Sequence, residues 1–403
     1  MTNLGDLHRR EYGRILASLI RVVRDFDLAE DALQEAFEAA LAQWPAQGAP
    51  DNPVAWLIGT ARHKAIDQLR RRTMAEAKRD EIAAEVAPEV EADAPLPLDS
   101  LRLIFTCCHP ALAPEAQVAL TLRTVCGLST EAIARAFLVP VPTLQQRIVR
   151  AKAKIKGARI PYEVPGDDEL AARLDAVLAV VYLVFTEGYS ATSGTDLVRA
   201  DLCAEAIRLA RLLAELLPDE REVKGLLALM LLHDARRDSR TDETGGIVLL
   251  ENQDRSRWDR ARIAEGAALV GQALRGRAPG AYAIQAAIAA LHAQAPSAHE
   301  TDWPQIAALY GVLAGLHPSP VVELNRAVAV AMADGIEHGL ALLETVHLPG
   351  YYLLPAARAD LLRRLGRRPE AAQAYRDALA LVTNDAERRY LERRLTEVSG
   401  APR

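Results

Sequence analysis

The chain has 403 residues, half of them apolar, a quarter charged and only 5% aromatic. That composition suits a globular protein of two or three domains and excludes collagen, a disulfide scaffold and a coreless chain. The net charge of −6 hides an asymmetry: residues 73–99 carry eight acids and two bases, while residues 141–160 carry six bases and no acid.

Ala, Leu, Arg and Glu dominate, which favours helix over strand, and the expected fold is all-α. Four cysteines fit a reducing cytosol. Residues 1–10 contain no apolar core of signal-peptide length. The longest apolar run, Ala176 to Phe185, is too short to cross a bilayer. A cytoplasmic protein without membrane contact is expected.

The first block, residues 7–72, reads as helical. In Leu28 to Leu41 the residues Leu28, Ala32, Leu33, Ala36, Phe37, Ala40 and Leu41 share one face. Asp31, Gln34, Glu35 and Glu38 share the other, which suits either a solvated surface or a dock for a basic partner helix. The next helix opens on Asn52 as N-cap and Pro53 as its first residue. Its core stripe is read as Val54, Ile58, Ala61, Ala65 and Leu69. Trp56, Thr60, His63, Asp67 and Arg70 form a strip along the other side, with Arg62, Lys64 and Arg71 adding positive charge. Cations neutralise phosphates and an indole offers a face for an unstacked base, so the strip suits nucleic acid. The alternative is that Trp56 packs on the preceding helix.

Residues 73–97 are rich in Ala, Glu and Pro and read as an acidic flexible linker. The second block, residues 98–160, holds a helix-turn-helix pattern. Gly127 ends one helix, Ser129 caps the next over Thr130 to Leu138, and Pro142 opens a third. In that third helix Leu144, Ile148, Ala151 and Ile155 form the core stripe. Thr143, Gln146, Arg147, Arg150 and Lys154 lie on or beside the opposite face, where such a helix reads bases in the major groove. Lys152, Lys154 and Lys156 are expected to meet phosphates.

Pro161, Pro165 and Gly166 mark a boundary before the third block, residues 167–403, a series of Ala/Leu-rich helices. Residues 326–343 can be laid over residues 358–379 at a spacing of about 31 residues, which looks like a tetratricopeptide repeat. Cys107-Cys108-His109 reads as core, because adjacent cysteines do not make the usual zinc pair and no second pair lies nearby. His233, Asp234, Arg236, Arg237, Asp254, Arg255, Trp258 and Asp259 read as Asp–Arg pairs tying helices together, with ligand or peptide binding as the alternative. No metal spacing, phosphate loop or nucleophile elbow is present, so no cofactor, metal or catalytic residue is expected.

Two of these stretches resemble a known pair. Asp27 to Phe37 with Trp56 to Asp67 resembles domain 2 of sigma-70 family RNA polymerase sigma factors, and Leu128 to Ile155 resembles domain 4. With no counterpart of other sigma domains, the resemblance is to the extracytoplasmic-function class. It implies that Asp31, Gln34, Glu35 and Glu38 bind the β′ clamp helices of core RNA polymerase. It implies that Trp56, Thr60, Arg62, His63, Lys64, Asp67, Arg70 and Arg71 melt and read the −10 promoter element. It assigns the −35 element to Thr143, Gln146, Arg147, Arg150 and Lys154. His63 stands where many relatives have Asn. Val181 to Tyr189, His233 to Arg237 and Gln253 to Asp259 resemble the C-terminal extension of one sigma subgroup, which implies a tetratricopeptide-like domain that modulates activity and offers a surface for a protein or peptide partner. The rival readings are a ligand-sensing helix-turn-helix regulator acting alone and an enzyme fused to a DNA-binding module.

Overall fold

The computed structural model describes residues 4–77, 96–137, 139–190, 198–243, 245–276 and 278–400. Those residues form eighteen α-helices and no strand beyond an isolated bridge between Thr241 and Ile247, so the fold is all-α. The chain divides into two compact units, Met1–Val181 and Tyr182–Arg403.

The first unit contains α1 (Leu4–Val23), α2 (Phe26–Gln47), α3 (Pro53–Ala77), α4 (Leu96–Cys107), α5 (Pro114–Thr124), α6 (Thr130–Ala136) and α7 (Val141–Gly157). Asp25 caps α2 by accepting from the Leu28 N–H at 3.0 Å, and Asn52 caps α3 by accepting from Ala55 at 3.0 Å. The buried face of α2 is the expected one except at Leu41, which is 62% exposed. At 3.6 residues per turn the stripe drifts, and by Leu41 it has rotated off the core. In α3 the fully buried line is Leu57, Ala61 and Ala65, with Val54, Ile58 and Leu69 only half-buried. The buried line thus begins at Leu57 rather than Val54, because α3 packs on α1 as well as on α2.

The α3 helix continues to Ala77 and α4 starts at Leu96, so both ends of the stretch read as linker are helical. Residues 78–95, the body of that stretch, lie outside the described residues.

The α2, α3, α4 and α5 helices all pack on α1, where Ile15, Leu16, Leu19 and Ile20 are buried. Asp99 of α4 is wholly buried and is held by Arg21 at 3.0 Å and Arg102 at 2.8 Å. Two guanidiniums on one carboxylate supply the hydrogen bonds that a buried charge requires. The Tyr162 hydroxyl donates to the Ala17 carbonyl at 2.8 Å. Cys107 and Cys108 are buried beside Thr124 and Thr121, at 3.1 and 3.4 Å. Burial pushes both thiols up, Cys108 to about 12, which leaves them un-ionised core residues. The first unit extends past Gly166 into α8 (Asp167–Tyr189), because Arg173 donates to the Phe105 carbonyl at 2.8 Å.

The second unit continues with α9 (Ala200–Leu216), α10 (Arg221–Asp234), α11 (Arg260–Ala273), α12 (Ala281–Gln294) and α13 (Trp303–Leu316). It ends with α14 (Pro320–Asp334), α15 (Ile336–Leu343), α16 (Leu353–Arg364), α17 (Arg368–Leu379) and α18 (Asp385–Ser399). In α10 every residue from Leu226 to Leu232 is buried, so this helix is apolar all round and lies in the centre. Its Glu222 reaches the start of α12 and accepts from the Tyr282 and Ala283 N–H groups at 2.8 and 3.1 Å. The repeat read from the sequence coincides with two helix pairs, α14–α15 and α16–α17. Gly335 and Gly366 occupy the equivalent turns with φ of 118° and 75°, a region that favours glycine.

Candidate nucleic-acid interface

The α6–α7 pair is built by local rules. Gly127, at φ 68°, turns the chain so that the Leu128 N–H returns to the Leu122 carbonyl at 3.0 Å. Ser129 Oγ accepts from the Ala132 N–H at 3.1 Å and starts α6. The second helix starts at Val141, without a side-chain cap and with Pro142 in its first turn. The α6 helix ends at Ala136, short of the expected Leu138, which lies outside the described residues.

Leu144, Ile148, Ala151 and Ile155 are all buried, as their period requires. Thr143, Gln146, Arg150 and Lys154 are exposed on the other side and Arg147 is half-buried. Two residues not singled out from the sequence share that exposed side, Gln145 and the 65% exposed Val149. An exposed apolar side chain between Gln146 and Arg150 suits a thymine methyl. The signal for it was the spacing alone, since Val149 lies three residues beyond Gln146 and four beyond Gln145.

Lys152 departs from expectation. Its side chain is 12% exposed and its ammonium lies 2.8 Å from Asp27 and 3.1 Å from Glu30 of α2. Arg123 stands 3.7 Å from Glu30, and Lys156 stands 3.6 Å from Asp25. Of the three lysines expected on phosphates, Lys152 thus holds α7 against the acidic start of α2, whereas Lys154 faces outward.

On α2, Asp31, Gln34 and Glu38 are exposed, and Gln34 donates to Glu38 at 3.1 Å. Glu35 turns instead toward α3, accepting from Lys64 at 3.0 Å and from Gln68 at 2.7 Å. The acidic face and the basic strip are therefore joined at one point. Trp56 is half-buried and stands edge-on to Trp44 of α2, ring centroids 5.5 Å apart at 67°. The indole packs on the preceding helix and still keeps solvent access. Thr60 and Arg62 are half-buried, while His63, Asp67 and Arg70 are exposed farther along the strip. Arg71 follows on the same helix.

Comparison with known proteins places families on these elements. The family described as Sigma-70 region 2 matches residues 7–74, and Sigma-70, region 4 matches residues 102–155. A family of unknown function, DUF6596, matches residues 173–274. An uncharacterized protein of Rhizobium meliloti (strain 1021), R00370, is 47% identical over 397 residues, covering 96% of this chain and 94% of its own length. The ECF RNA polymerase sigma factor SigK of Mycobacterium sp. (strain KMS) is 27% identical over 149 residues, covering 35% of this chain and 75% of its own length. No solved structure matches the chain. Among the described residues, no helix is long and apolar enough to cross a membrane.

Proposed function

We propose that this chain, which belongs to the extracytoplasmic-function class of the sigma-70 family of RNA polymerase sigma factors, brings core polymerase to promoters through two separate grips. The exposed part of the α2 face, Asp31, Gln34 and Glu38, meets the β′ clamp helices, with Glu35 set behind it. The α3 strip from Trp56 to Arg71 takes the −10 element. Its indole receives an unstacked base, and its cations receive phosphate. Thr143, Gln146, Arg147, Arg150 and Lys154 of α7 take the −35 element. The chain acts in the cytoplasm, makes and breaks no bond itself, and leaves catalysis to the polymerase. The C-terminal helices modulate this activity and present a surface for a protein or peptide partner.

The observation that carries this reading is the row Gln146, Val149, Arg150 and Lys154, exposed on one side of a helix whose other side is sealed by Leu144, Ile148, Ala151 and Ile155. The test is in-vitro transcription of genomic fragments by purified core polymerase. Discrete start sites should arise only when the chain is added. A second preparation ending after Val181, where the first compact unit ends, should change the yield from those sites. Equal DNA binding with and without core, and no selected start site, would overturn the assignment.

A further inference from the structure

The charged motifs of the second unit separate into two groups. Asp234 is paired with Arg237 at 3.2 Å and in close contact with Arg262. Asp259 caps α11 through the Arg262 N–H at 3.0 Å. Of the residues grouped from the sequence, Asp234 and Arg237 form such a pair, while Arg262 of α11, not singled out there, is the second partner of Asp234.

Arg236, Arg240 and Arg255 behave differently. Among the described residues no carboxylate lies within ion-pair reach of any of the three. Arg236 donates toward His233 Nδ1 at 3.2 Å, a contact that requires an unprotonated ring nitrogen. The Arg240 guanidinium lies 3.6 Å over the Tyr189 ring and donates to the Tyr189 carbonyl. Arg236 approaches the same ring at 5.7 Å. Arg255 donates to the His292 and Ala295 carbonyls at 2.7 and 2.9 Å and lies 4.4 Å over the Trp258 ring. Arg260 joins them by donating to the Arg255 carbonyl at 3.2 Å.

The histidines of this neighbourhood respond to an excess of positive charge. Burial, and then Arg236 and Arg240, hold His233 well below the usual histidine value. Burial, and then Arg236 and Arg255, bring His292 to about 4. The acid nearest in effect to Arg240, Glu387, has its own carboxyl pushed up by burial and is hydrogen-bonded by Tyr352 and Ser190. Two donors in this neighbourhood, the Tyr189 hydroxyl and the Trp258 indole N–H, are buried with no partner. A guanidinium cannot shed its proton, so three half-buried ones gathered without a carboxylate in ion-pair reach favour an added anion. Buried donors without partners point the same way.

We propose that Arg236, Arg240 and Arg255, with the Tyr189 hydroxyl, form a binding site for a small oxyanion, the carboxylate or phosphate group of a metabolite. The planar forks of Arg236 and Arg240 suit two oxygens of one such group. His233 Nδ1 accepts from Arg236 at 3.2 Å, a positioning role. The site would give the C-terminal unit a chemical signal to sense, and its existence does not depend on the sigma-factor reading.

The test uses the full chain in chloride buffer at fixed ionic strength, with inorganic phosphate and citrate added separately. A saturable rise in melting temperature, with heat of binding by calorimetry, is expected for at least one. Phosphate alone would mark a phosphoryl ligand, citrate alone a carboxylate ligand, and both a site that accepts either. Arg236→Gln should weaken binding at least tenfold, while Arg211→Gln, which removes an exposed pair with Glu265, should leave it unchanged. Hydrogen exchange on the unaltered protein removes any dependence on how the variant folds, and the anion should slow exchange across residues 233–259. Neither anion binding beyond the chloride control, Arg236→Gln binding as the parent does, or protection confined to residues 141–157 would each overturn the proposal.

Discussion

Lys152 of α7 lies 2.8 Å from Asp27 of α2, joining through one ammonium the two modules proposed to grip separate stretches of promoter DNA. The same ammonium reaches Glu30 at 3.1 Å, where both side chains are nearly buried. With Arg21 on Asp99 and Tyr162 on Ala17, the first unit is held closed. On the proposed reading the two modules take separate promoter elements, so that reading predicts that this contact opens on polymerase.

Lys152→Ala should therefore release the modules. A charged, half-sheltered hydrogen bond contributes about 2 kcal/mol, a shift of roughly 30-fold toward the open form. Energy transfer between labels on exposed Asp51 and Arg159 should fall, and polymerase association should tighten. Unchanged transfer together with unchanged association would leave the ion pair without a role in closure.

The acidic face of α2 should divide by mutation. Asp31→Lys places a cation on an exposed position and should abolish co-purification with core polymerase while leaving the melting temperature within a degree or two. Glu35→Lys confronts Lys64 at the position it now pairs with and should lower stability by about 1 kcal/mol as well. If Asp31→Lys still co-purifies, the β′ assignment fails.

The pattern of success along α7 and α3 has a physical basis. A helix lying on one surface with a strict apolar period reveals its buried side, and Leu144, Ile148, Ala151 and Ile155 are all found there. The α3 helix shares its length between α2 and α1, so its contact line begins at Leu57, a register that period alone does not fix. Partners 125 residues apart, such as Lys152 and Asp27, leave no local trace in the sequence. The charged motifs around His233 and Asp254 were legible as a group. Which guanidiniums would find carboxylates depended on where the helices placed them.

Trp56 should contribute twice. Its edge contact with Trp44 is worth about 1 kcal/mol of packing, and a stacked base about 1–3 kcal/mol more. Trp56→Ala should slow promoter opening, read by permanganate reactivity of unpaired thymines, more than it weakens initial binding. Trp56→Phe should recover much of the opening. Equal losses in binding and opening would show that the indole is only a packing group.

His292 makes the stability of the second unit depend on pH. Burial, then Arg236 and Arg255, hold its folded value at about 4, below the ordinary 6.5. Between those values the unfolded chain binds the additional proton, so the contribution is full above 6.5 and is lost as pH falls toward 4. His233 acts in the same sense, and Glu387, with its raised carboxyl, acts in the opposite one. Comparison with His292→Gln cancels both. The urea midpoint of the parent should fall more steeply from pH 7 to pH 5 than that of the variant, and parallel slopes would refute the buried neutral state.

Gly13→Ala tests closure without touching a charge. Within a helix this substitution ordinarily stabilises by about 1 kcal/mol. Here a Cβ would run into the backbone carbonyl oxygen of Val125, just beyond α5, which has no flexible side chain to move aside. The sign of the effect therefore reports the packing. In a closed first unit the variant should melt lower and associate more readily with polymerase, matching Lys152→Ala by a steric route. In an open one, helix propensity would dominate and the variant would melt higher. A higher melting temperature with unaltered polymerase association would place α1 and the Val125 turn apart in solution, and closure would have to be abandoned.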